Sequence, residues 1–121
     1  MEIFFALIVS LLLLHEMDAI RAREWKMFIV LKDMNKDRAC KVFLLAHLPL
    51  FFVVFLIMLS EWTTAQFVLY CIVDVFLVGH AILHFCFRKH PDNGFTSLFS
   101  KTLILLPAIL GIVHLCLLFI W

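Results

Sequence analysis

The sequence predicts an all-α membrane protein, a four-transmembrane-helix bundle, and three observations carry that prediction. First, 65% of the chain is hydrophobic and its mean hydropathy is +1.10. A typical soluble domain is about 45–50% apolar. A chain of 121 residues with this composition has too little interior to hide its apolar side chains from water. Second, four apolar runs, 3–19, 42–59, 67–87 and 103–120, approach the ~20 residues that cross ~30 Å of hydrocarbon. Third, the ten Lys and Arg residues are segregated: seven lie between runs one and two, three between runs three and four, and none between runs two and three.

Run one, "IFFALIVSLLLLHEMDA", lacks the basic start and small-residue cleavage site of a signal peptide, so it is expected to remain as an anchor. Backbone groups in hydrocarbon must be satisfied within the segment, which makes every run a helix. The basic connections 20–41 and 88–101 mark the cytoplasmic side of an inner (plasma) membrane, with both termini outside. Trp62 and Trp121 then fall at the outer rim and Trp25 at the inner one, as an aromatic belt would place them.

The first connection is long. Trp25, Phe28, Ile29 and Lys32 share one helical face, so it is expected to form an amphipathic helix lying on the inner leaflet. Its basic residues would sit among anionic lipid head groups. Run two carries Pro49 early in its length. The short outer connection "SEWTTAQ" makes runs two and three an antiparallel hairpin. In "RKHPDNGF", Pro91 ends the third helix and Asn93-Gly94 is expected to supply the bend. Pro107 and Gly111 should kink run four or let another helix approach it. Gly79 should allow close packing beside His80.

There is no repeat or low-complexity run, and residues 1–121 read as a single transmembrane domain. The four cysteines, Cys40, Cys71, Cys86 and Cys116, form no CxxC pair and read as reduced, buried hydrophobes. The net charge of +1 says little; no phosphate-loop or nucleic-acid motif is present, and no nucleic-acid partner is expected. No serine or cysteine triad is present. The expected partner is the bilayer, and a chain this small is a candidate homo-oligomer.

Ionisable residues inside a membrane span point to function. With ~1.5 Å of rise per residue, His15 lies roughly 18 Å and Asp18 roughly 22 Å below the outer face on helix one. His80 lies at about 20 Å and His84 at about 26 Å on helix three, and His47 at about 22 Å on helix two. Glu16 shares this level on another side of helix one. Asp74 and His114 form a second, higher layer. His80 and His84 are about 40° apart around their helix, and His15 and Asp18 about 60°. Each pair therefore projects from one face.

HxxxH on one helix offers two imidazoles to one ion. A third imidazole and a carboxylate from other helices complete a tetrahedral, zinc-like set. The expected ligands are thus His15, His47, His80 and His84, with Asp18 as ligand or orienting group and Glu16 as general base. Such a site near the inner leaflet would activate water against a lipid-like substrate. Three alternatives stand beside it. A structural polar network is one, although interhelical hydrogen bonds contribute only ~0.6 kcal/mol on average. A bis-His haem b between His47 and His80 or His84 is another. The third is an oligomeric pore or proton path through Asp74, His114, His80 and His84.

The segments "HEMDAIRAREWKMF", "HLPLFF", "HAILHF" and "RKHPDNGF" resemble a family of small, uncharacterised bacterial four-span membrane proteins. The resemblance implies the same four-helix fold and makes the His/acid segments family features. It implies no activity, substrate or cofactor.

Overall fold

Four long helices account for most of the chain. The structure, a computed structural model, describes residues 1–120; Trp121, expected at the outer rim, lies outside them. Helix α1 spans Glu2–Ala22, α2 Lys36–Met58, α3 Thr63–Cys86 and α4 Leu98–Ile120. Short 3-10 turns follow α1 at Glu24–Met27 and α3 at Phe87–Lys89. All four helices are long and apolar enough to cross a membrane. Each expected span falls inside one of them, apart from single end residues.

The helix limits have local causes. Asn35 caps α2 by accepting from the Asp37 amide at 2.9 Å, and Ser97 caps α4 by accepting from the Ser100 amide at 3.1 Å. Arg23 ends α1 in the left-handed conformation (φ 55°, ψ 49°), where its amide reaches the Ala19 and Ile20 carbonyls. At the outer hairpin, the Gln66 amide nitrogen donates to the Ser60 carbonyl at 2.6 Å, satisfying one of the last carbonyl groups after α2.

Packing follows the helical stripe. On α1 the buried residues are Phe5, Ile8, Val9, Leu12, His15, Asp18, Ala19 and Ala22, a 3.6-residue pattern in which the polar side chains continue the apolar face. On α4 the buried stripe includes Ser100, Ala108 and Gly111, small residues that let neighbouring backbones approach. A Cβ at Gly111 would touch the Asp74 backbone and carboxylate at 3.4–3.5 Å, the close helix contact anticipated there. Accordingly α4 packs tightly against α3 and α1, whereas α2 is attached more loosely. Most of α2, including Leu45, Leu48 and Phe52, faces outward.

Several expectations need correction. The first connection holds no amphipathic helix: Arg23 breaks the chain direction, one 3-10 turn follows, and residues 29–34 are turns and bends. Consecutive β-branched Ile29 and Val30 are poor helix formers, and both are exposed. Trp25 turns inward, buried against Phe43 with ring centroids 5.8 Å apart. No cysteine is buried. All four are unpaired, with Cys86 and Cys116 exposed. Gly79 has no packing neighbour that a Cβ would meet. In the third connection the turn is centred on Pro91-Asp92, closed by the Asn93 amide donating to the His90 carbonyl at 3.0 Å. Gly94 has no positive φ. It is needed because a Cβ there would overlap the Ala22 backbone carbonyl oxygen.

Candidate metal centre

Between two apolar clusters, one around Phe5 and Tyr70 and one around Ala19 and Phe43, three imidazoles converge. His15 comes from the α1 stripe, and His80 and His84 come from adjacent turns of α3. His80 Nε2 lies 2.9 Å from His15 Nε2 and 3.1 Å from His84 Nε2. Ligand atoms of all three residues fall within 4.8 Å of one another, so these side chains can hold a metal ion. His15 is buried, and His80 and His84 are partly so.

Phe95 packs beneath the trio, 4.6 Å from the His84 ring and 5.5 Å from that of His15. It reaches there because Gly94 rests on Ala22 and the Asn93 side chain accepts from the Phe95 amide at 3.0 Å. The third connection, which looks like a bare turn in the sequence, is therefore the floor of the site. His15 Nδ1 is buried without a hydrogen-bond partner among the described residues. Its ring is held by contacts with His80, His84 and Phe95.

Glu24 is the residue that sequence reasoning missed. Its carboxylate lies 3.4 Å from His84 Nε2, with both side chains 8% exposed. The contact is to the nitrogen that also faces His80. A carboxylate that only orients a ligating imidazole binds its far nitrogen; Glu24 stands on the side where an ion would sit. Burial alone would push the Glu24 carboxyl up, but the hydrogen bond from His84 and the charges of His84, His80 and His15 outweigh it and hold the carboxyl below the usual range. His84 Nε2 thus faces both the His80 ring at 3.1 Å and the Glu24 carboxylate at 3.4 Å, and a cation held by the three imidazoles would have Glu24 beside it. The only sequence signal was an acid embedded in a basic segment, and it acquires meaning only through the left-handed turn at Arg23.

The other expected ligands are placed elsewhere. Asp18 Oδ1 accepts from Arg21 Nε at 2.7 Å, and Arg21 also donates to Ser100 Oγ at 3.0 Å. Arg21, held by Asp18, thus ties α1 to the start of α4. His47 shares the depth of the trio, but its Nδ1 donates to the Phe43 carbonyl at 2.6 Å. Its Nε2 lies 3.0 Å from Glu16. Glu16, expected as the general base, is therefore engaged on the α2 side of α1. His47 is equally unavailable as an axial haem ligand facing His80 or His84. Asp74 and His114 meet directly, Nδ1 to Oδ2 at 2.7 Å, with no exposed side-chain surface.

Two cavities adjoin the trio, and His84 lines both. One, of about 270 Å³, lies between the first connection and the end of α3, with Glu24, His80, His84, Phe28 and Leu83 in its wall. The other, of about 440 Å³, opens between the end of α3 and the start of α4.

A family model matches the chain over residues 1–120, and that family is described as one of unknown function (DUF6713). No curated protein and no solved structure matches the chain.

Proposed function

The chain belongs to the DUF6713 family, as the resemblance to an uncharacterised four-span family implied, and we propose that it binds a divalent, zinc-like ion that activates water against a lipid-like substrate. One observation carries the reading: three Nε2 atoms from two helices converge, that of His80 lying 2.9 Å from that of His15 and 3.1 Å from that of His84. Tetrahedral zinc with Zn–N bonds of ~2.0–2.1 Å places ligating nitrogens about 3.3 Å apart, so the trio needs only a small expansion. Three protein ligands leave a fourth position open, which is the pattern of a catalytic ion.

The chemistry follows from the neighbours. An ion held by His15, His80 and His84 would supply a Lewis acid that brings the pKa of water to ≈7. Glu24, beside His84, would take the proton from water as it adds to an acyl ester carbonyl and return it to the departing alkoxide as the C–O bond breaks, giving a carboxylic acid and an alcohol. The apolar cavity beside Glu24 favours an acyl chain over a water-soluble substrate. With the basic connections on the cytoplasmic side, the site faces the inner leaflet.

The test is metal analysis of detergent-purified protein. Close to one zinc per chain is expected, lost in His80→Ala and His84→Ala and kept in His47→Ala. Glu24→Gln should keep the metal and lose ester hydrolysis by about 10²-fold or more. A folded protein that takes up no divalent metal overturns the reading.

A further inference from the structure

We infer that the larger cavity is a binding site for an anionic phospholipid, and that this lipid class is the substrate presented to His84. The substrate role rests on the metal reading above; the binding site stands without it.

The argument begins with charge. Arg88, Lys89 and Lys101 line the cavity, from the end of α3 and the start of α4, and no carboxylate does so among the described residues. The smaller cavity differs by containing Glu24. Arg88 is held in place: it donates to the Phe85 carbonyl at 2.7 Å and lies 3.9 Å over the Phe85 ring. Lys89 and Lys101 are exposed and appear in no ion pair of the described residues. A cationic rim of this kind takes an anion.

The rest of the wall decides which anion. Ala81, Ile104 and Leu105 continue the cavity along the bundle. This surface cannot hydrate a free phosphate but suits an alkyl chain. An anionic head joined to a hydrocarbon tail is the chemistry that satisfies both ends. Basic pockets between spanning helices recognise lipid head groups in this way.

Depth then links the cavity to the trio. Lys89 lies five residues beyond His84, about 8 Å along the helix and its 3-10 extension. In a phospholipid the phosphate and the acyl ester are separated by the glycerol unit alone. A phosphate held by Lys89 and Lys101 therefore sets the ester at the level of His84, which lines this cavity as well as the one containing Glu24.

Native mass spectrometry of chelator-treated protein, offered phosphatidylglycerol or phosphatidylcholine, tests the site. Selective retention of phosphatidylglycerol is expected, weakened about thirtyfold in Lys89→Gln/Lys101→Gln. Lys36→Gln/Arg38→Gln, which removes equal charge from the other connection, should leave it unchanged. No preference between the lipids, or equal loss in both double variants, overturns the site. Zinc-loaded protein should then release fatty acid from phosphatidylglycerol vesicles faster than from phosphatidylcholine. Selective binding without such release overturns the substrate role and leaves the site.

Discussion

The Asp74 carboxylate and the Nδ1 of His114 lie 2.7 Å apart with no side-chain exposure on either partner. They join α3 to α4 where Gly111 brings the two backbones together. Phe4, Phe5 and Tyr70 surround the imidazole, with ring centroids 5.4–5.6 Å away. Asp74→Ala leaves the His114 N–H without an acceptor and should lower stability by about 1–2 kcal/mol. Asp74→Asn retains an acceptor oxygen and should cost less. Detergent unfolding titrations read both, and equal stability of wild type and Asp74→Ala would remove the pair from the account of packing.

The two glycines that pack against another element, Gly94 and Gly111, should respond in opposite ways to the same methyl group. At Gly111 an added Cβ meets Asp74 at ordinary contact distance, and alanine gains up to about 1 kcal/mol of helix propensity. Gly111→Ala should be neutral or slightly stabilising. At Gly94 the Cβ would overlap the Ala22 backbone, forcing the connection and Phe95 away from the trio. Gly94→Ala should cost about 1–3 kcal/mol and weaken metal uptake. Paired unfolding curves decide it: a stable Gly94→Ala variant contradicts the close approach.

Arg23 is exposed, so substitutions there report on its backbone. Left-handed geometry costs an ordinary residue roughly 1–2 kcal/mol, while Gly and Asn adopt it readily. Arg23→Gly and Arg23→Asn should keep both stability and metal affinity. Arg23→Val, β-branched at φ 55°, should swing Glu24 out of the site and abolish hydrolysis while leaving the three imidazoles able to bind zinc. Loss of activity in all three variants alike would assign the effect to the guanidinium instead.

The charge segregation predicts an orientation that labelling can check. In a cysteine-free background, Glu61→Cys in the outer hairpin should react with a membrane-impermeant maleimide in intact cells. Asp92→Cys in the third connection should react only after permeabilisation. Both positions are exposed, so accessibility within the fold does not confuse the result, and the reverse pattern would invert the topology.

The sequence reveals depth and facing better than it reveals neighbours. The stripe from Phe5 to Ala22 follows directly from a 3.6-residue period, and it carries His15 and Asp18 inward as expected. Rise per residue puts His15 and His80 on one level and Asp74 with His114 on another, where the structure joins each pair. Azimuth is different, because it depends on which helix packs where. Asp18, only three residues from His15, turns toward Arg21 and the start of α4, and α2 lies against Glu16 so that His47 is drawn there. Glu24 was out of reach for another reason. No periodicity extends through a left-handed residue, so nothing in the local pattern returns its carboxylate beneath His84.

The clasp of Arg21 on Ser100 also bears on biogenesis. It joins the end of the first helix to the beginning of the last, across 79 positions of sequence. During synthesis α1 enters the bilayer with Asp18 and Arg21 in place but with the serine not yet made. The second acceptor that Arg21 meets in the folded chain is therefore supplied only by the last helix to be made.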